Sequence, residues 1–517
     1  LYDRTIEERA RLDPVWATAQ GLHHHDEHLT QYDDVSRRAR LDLFRRTLAD
    51  LPSVEKADPT DRAVLDLELR AGIYDMERQD ERQVRPDLPL AAVRIVHTML
   101  IKDYAPKAER VRTAARRLAE LPALIDESRR RLTRPPNLWT RMALEDLEGL
   151  PEFFRSLTEG ADDAAFVAAV RDAERHYAAY ADFLRRDVLP RSDGAFAVGR
   201  EVYDRLVRLR HGLDLDADRL IAIGRRELDR TRSEMEELAR QISRDETIEE
   251  IIERIKRRHP TAADLRGAYQ RETDRARRFL VERELVSIPE GERLELIDTP
   301  EFMRSTVPYA AYSAPAPLDA SRTGHFYVTP AGDEESLRGH NFADIENTVL
   351  HEAYPGHHLQ LVYAKGVDSK IRRLAEAPTL SEGWGLYCEE LGHETGFYSG
   401  PEARLMALNW RLHRAARVIL DAGLHAGRTS YEEAVAFLVE QVHLQRPQAI
   451  ASVNAYTQEP TYFMSYLVGM LELKRARDAA RARLGARFSP REFHERVLRM
   501  GNVPAALLTA RLEQDWR

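Results

Sequence analysis

Residues 351–360 read HEAYPGHHLQ, and the proline and glycine at their centre restrict the folding of this chain more than any other stretch. Upstream, NFADIENTVLHEA has apolar residues at helical spacing, with Asn341 placed to cap the first turn. A helix begun there cannot run regularly through Pro355. Proline has no N–H for the carbonyl four residues back, and its ring crowds that carbonyl. Gly356 then permits a backbone geometry closed to other residues. Together they predict a local bulge that absorbs extra residues and resets the helical register.

The break matters because of the histidines around it. Residues i and i+4 share a helix face and can hold one metal ion, but position 355 is proline. On a regular helix His357 falls about 240° round from His351, and His358 lies about 10 Å further along the axis. Neither can then share an ion with His351. If the bulge absorbs two residues, His357 takes the missing place; if it absorbs three, His358 does. A two-histidine site needs one more ligand, usually a carboxylate, with a position left open for water. LSEGWGLYCEELG supplies Glu382 on a predicted amphipathic helix 25 residues after His357. Gly383 and Gly385 weaken that helix unless close packing requires them.

Around this stretch the chain reads as mainly α. From residue 1 to about 290, Ala, Leu, Arg and Glu recur at three- and four-residue spacing, as in DRLIAIGRRELDRTRSEMEELARQI at 218–242. Between about 291 and 330, LELIDTP, PYAAYSAP and GHFYVTP read as short strands forming a small sheet. This gives a helical N-terminal part, 1–290, and a metal-site-bearing part, 291–517, expected to form one two-lobed unit.

The net charge of -9 is small for 517 residues, and charges of both signs alternate. No basic stripe with interleaved aromatics is present, so nucleic acid is not an expected partner. No apolar run reaches the ~20 residues of a transmembrane helix. The single cysteine, Cys388, excludes an intrachain disulfide and reads as a small buried residue. A cytoplasmic location and a secreted or periplasmic one, after loss of an N-terminal signal, both fit this composition. HHHDEH at 23–28 is histidine-rich but lacks ligand spacing, and reads as a solvated surface turn.

HEAYPGHHLQ followed by SEGWGLYCEEL resembles a bacterial family catalogued as a domain of unknown function and grouped with the gluzincin metallopeptidases, among them carboxypeptidase Taq, thimet oligopeptidase and angiotensin-converting enzyme. DPVWATAQGLHHHDEHL, TPEFMRSTVPYAAYSAP, RAARVILDAGLH and FHERVLRMGNVP extend the resemblance over most of the chain. It implies a large helical zincin-like fold with a central cleft and one zinc per chain. The activity implied is hydrolysis of peptide bonds, of carboxypeptidase or oligopeptidase type. A metal-dependent amidase acting on a non-peptide metabolite and a non-catalytic binding protein on the same scaffold are the alternatives.

By the same resemblance, His351, His357 and Glu382 are the expected ligands, because Gly356-His357 matches the Gly-His of shorter gluzincin motifs. Glu352 is the expected general base. A downstream tyrosine is expected to stabilise the oxyanion; AYTQEPTYFMSYLVG offers Tyr456, Tyr462 and Tyr466, and Gly469 three residues on favours Tyr466. Tyr456 is also a candidate substrate contact. Arg417, Asp421 and His425 fall on one helical stripe, which suggests a cleft wall formed with Arg417 and His425. Arg304 with Tyr309 and Tyr312 is a candidate holder of a peptide carboxylate.

Overall fold

The computed structural model describes residues 1–54, 58–304 and 307–515. The chain divides into two units: Leu1–Phe196 with Pro315–Ser321, and Ala197–Ala314 with Arg322–Arg517. The boundary expected near 290 falls inside the second unit, because the helix Ala217–Ile242 packs against the helix Pro401–His425.

The first unit is helical throughout its regular elements, with Phe153, Phe154, Tyr177 and Tyr180 in its core. Its histidine-rich turn departs from the solvated surface turn expected. His23 is held between Asp26 at 2.9 Å and Asp319 at 2.8 Å and lies flat on Tyr104, with ring centroids 3.5 Å apart. Its neighbours His24, Glu27 and His28 are about half exposed.

The second unit holds the sheet and the helices that carry His351, His357 and Glu382. Helix α1, Ala217–Ile242, is capped by Asp216, whose side chain accepts the Arg219 N–H. Strands β1 (Arg293–Asp298), β2 (Ala310–Ser313) and β3 (Thr323–Val328) form a sheet of order β1-β3-β2. β1 runs parallel to β3, pairing Leu296 with Phe326, and β2 runs antiparallel to it, pairing Tyr312 with Phe326. Helix α2, Phe342–Glu352, follows, and Asn341 caps it by accepting the Asp344 N–H at 3.0 Å. Then come α3 (His357–Lys365), α4 (Pro378–Thr395), α5 (Pro401–His425), α6 (Arg446–Gln458) and α7 (Ser465–Leu484).

The close approach of α4 and α7 has a visible cause. A Cβ on Gly469 would lie 1.9 Å from the Thr379 carbonyl oxygen, and one on Gly383 would lie 2.6 Å from Gly469 Cα. Larger residues at either position would force the helices apart. α5 is buried along nearly its whole length and packs against α1, α2 and α7.

Candidate metal centre

Pro355 and Gly356 end one helix and allow another to begin. α2 stops at Glu352, residues 353–356 turn, and α3 starts at His357. The interruption is larger than the bulge expected within one continuous helix. Its backbone is tied down on both sides: the Ala353 and Tyr354 N–H groups donate to the Val349 carbonyl, and the Trp384 indole N–H donates to the Pro355 carbonyl at 2.8 Å. Gly356 sits so close to α2 that a Cβ there would lie 1.9 Å from the His351 carbonyl oxygen.

The turn brings His351 and His357 together. Their rings are 4.8 Å apart and perpendicular. Glu382 Oε2 faces both, 3.8 Å from His351 Nε2 and 3.6 Å from His357 Nε2. These separations are too long for hydrogen bonds. They are close to the ~3.3 Å spacing of ligand atoms around a tetrahedral zinc ion. One ligand atom from each of the three residues lies within 4.8 Å of the other two, so the donor set fits a small divalent cation. His358 is not part of this group. It is fully buried, with Nδ1 3.1 Å from the Tyr312 hydroxyl and Nε2 2.7 Å from Glu292.

A second layer orients these groups. His351 Nδ1 lies 2.7 Å from Glu389 Oε1, whose other oxygen accepts from the Asn347 amide at 3.0 Å. Gly385 makes room for the His351 ring, since a Cβ there would come within 2.6–2.8 Å of it. The Tyr462 hydroxyl donates to Glu382 Oε1 at 2.5 Å. Burial by itself pushes the His351 imidazole down, but the Glu382 and Glu389 carboxylates outweigh it and lift it to about 9. Burial raises the Glu382 carboxyl, but the two imidazoles outweigh it and hold the group well below the usual carboxylate range. A negative Glu382 therefore faces the two histidines.

Glu352, at the end of α2, accepts the Tyr312 N–H from strand β2 at 3.1 Å. Tyr466 stacks over His351 with centroids 6.4 Å apart, and both Arg414 and Arg417 lie over its ring. Of the three candidate tyrosines, Tyr462 is the one bonded to Glu382, while Tyr456 is buried with its hydroxyl 3.1 Å from His413.

Other expected residues have partners of their own. His425 is fully buried, bonded to the Tyr456 carbonyl and stacked against Tyr203. Asp421 does not extend the stripe toward Arg417; it accepts the Thr461 and Met464 N–H groups, both at 3.0 Å, and so shapes the turn that presents Tyr462. Arg304 donates to the Thr299 carbonyl at 3.2 Å, and the Tyr309 hydroxyl accepts from Gln448 at 3.0 Å. The sequence reading passed over Glu389 and Arg414. The signal for Glu389 is its position seven residues after Glu382, two turns on along the same helix face. Arg414 offers no comparable signal among so many arginines.

Residues 14–512 match the family described as bacterial protein of unknown function (DUF885). The chain belongs to that family. No curated protein matches it. Two solved structures share its fold, each described as a "putative lipoprotein". One, of unknown function, is from Shewanella oneidensis: 22% identical, TM-score 0.83, covering 99% of this chain and 98% of that one. The other is from Colwellia psychrerythraea: 20% identical, TM-score 0.84, covering 99% of both chains. Among the described residues of this DUF885 protein, no helix is long and apolar enough to cross a membrane.

Proposed function

We propose that this protein is a zinc-dependent peptidase acting on short peptides. The observation that carries the reading is the convergence of His351, His357 and Glu382, with Glu352 directly following the first histidine. Two imidazoles and one carboxylate are a donor set suited to zinc, and three protein ligands leave a position for water or substrate. The same order of residues underlies the gluzincin resemblance, and we read the chain as related to that group. The lipoprotein descriptions of the two solved relatives favour a location outside the cytoplasm.

When bound, zinc supplies a Lewis acid that polarises the scissile carbonyl and lowers the pKa of water. Glu352 takes the proton as water attacks and returns it to the leaving amine. Its carboxylate is held toward β2 by the Tyr312 N–H, on the outer strand of the sheet, where an extended peptide has an edge to follow. Tyr466, stacked over His351, supplies a hydroxyl donor to the developing oxyanion. Glu389 keeps His351 in the tautomer that leaves Nε2 free.

The test is metal analysis combined with turnover of the Glu352→Gln variant. The parent should hold one zinc per chain and cleave peptides. The variant should keep its zinc while losing turnover by several kcal/mol of barrier, roughly a thousandfold. A variant that hydrolyses peptides as well as the parent, or a parent that takes up no zinc, would remove the reading.

A further inference from the structure

Arg414 and Arg417 stand one turn apart on α5, beside the metal-centre residues. Arg414 is nine-tenths buried, yet its Nε and Nη1 atoms have no hydrogen-bond partner among the described residues. Arg417 Nε is buried and also unmatched, while Tyr456 engages the same guanidinium elsewhere. The nearest carboxylate, Glu389, is 4.0 Å from Arg414 Nη2 and already engaged by His351 and Asn347. Glu382 is engaged by Tyr462 and faces the two histidines. The guanidinium planes are held by aromatic rings: Arg414 lies over Trp410 at 4.7 Å and Tyr466 at 5.9 Å, and Arg417 lies over Tyr466 at 4.7 Å and Phe463 at 5.8 Å.

Two neighbouring cations, one buried and one half-buried, with unmet donors are costly. Each repels the other, and ring faces replace only part of the lost hydration. An anion that accepts from both would relieve each of these costs. A carboxylate suits best, because its two oxygens match the guanidinium fork. Arg417 and His351 both lie against Tyr466, at 4.7 and 6.4 Å from its ring centre, so the path past that ring is the longest distance between them. An ion pair occupies ~4 Å of that path, and each extended residue spans about 3.3–3.6 Å. A carboxylate held there lies no more than about two residues from a carbonyl at the metal centre.

We propose that Arg414 and Arg417 bind the C-terminal carboxylate of the substrate, so that the substrate class is short peptides cut one or two residues from a free C-terminus. The site of cutting rests on the peptidase reading above; the binding of the carboxylate does not. This assigns to α5 the role that the sequence suggested for Arg304, whose guanidinium is anchored to its own loop.

The experiment uses the zinc-loaded full chain and its Glu352→Gln variant, with N-acetyl-trialanine and its C-terminal amide as probes in calorimetry. The acid should bind the Glu352→Gln protein at least roughly tenfold more tightly than the amide, as expected for a charged hydrogen-bonded pair. Adding Arg417→Gln should bring the two affinities together with zinc content unchanged, and Arg417→Lys should restore part of the difference. Equal binding of acid and amide, failure of the acid to bind, or an unchanged ratio in Arg417→Gln would overturn the proposal. Parent protein that cuts amidated peptides internally as well as their free acids would also overturn it, while leaving the peptidase reading intact. Selective acid binding without hydrolysis of any peptide would do the reverse.

Discussion

His351 Nδ1 stands 2.7 Å from Glu389 Oε1, and this contact turns Nε2 of the same ring toward Glu382 and His357. A buried imidazole that can donate at one nitrogen and accept at the other needs such a partner to select its tautomer. Glu389 is fixed in turn by Asn347, one turn before His351 on α2.

Replacing Glu389 with Gln should therefore weaken zinc binding by roughly 10–100-fold without changing the ligands themselves. Zinc titration against a competing chelator measures this. Unchanged affinity would mean that the contact does not orient the ring.

Two glycines should be sensitive for opposite reasons. Gly385→Ala raises the helix propensity of α4 by about 1 kcal/mol, yet its Cβ would come within 2.6–2.8 Å of the His351 ring. The variant should keep its helix content and lose zinc affinity. Gly356→Ala places a Cβ 1.9 Å from the His351 carbonyl oxygen, so the backbone itself must move. That variant should lose both zinc affinity and several kcal/mol of stability. Circular dichroism with zinc titration on the same samples separates the two outcomes.

Asp421 should be structural at a distance. It accepts two buried N–H groups in the 461–464 turn, and burial, partly offset by those two bonds, lifts its carboxyl to about 7. Asp421→Ala leaves both donors unmet and should cost about 2–4 kcal/mol in denaturant unfolding. The Tyr462 hydroxyl should also lose its place on Glu382. Ultraviolet titration of the tyrosines would follow this, because burial and the Glu382 carboxylate both hold the Tyr462 hydroxyl above the ordinary value.

In the first unit, His23 should make stability depend on pH. Burial lowers its affinity for a proton, but Asp26 and Asp319 outweigh that and raise its pKa from 6.5 to about 9. A histidine raised on folding stabilises the fold fully below its unfolded pKa and loses that contribution as pH rises through the folded one. Stability should thus fall between about pH 6.5 and 9 by roughly 1–2 kcal/mol, with the partly exposed ring discounted for solvent screening. Urea midpoints across this range should show the loss in the parent and not in His23→Gln.

Local chemistry decided much of this protein in advance. Asn341 as a cap, the helix at 218–242, three short strands before α2 and the interruption at Pro355-Gly356 all follow from backbone preference and periodicity, which act within a few residues. Those rules placed His351, His357 and Glu382 as candidates for one site. They could not choose between His357 and His358, because that choice depends on where α3 restarts and on Glu292, 66 residues earlier, binding His358. Nor could they assign Asp421 to a distant turn, or Arg414 and Arg417 to a place beside the metal-centre residues. Those outcomes are set by packing between helices far apart in sequence, where a glycine or a carboxylate counts only once its neighbour across the interface is known.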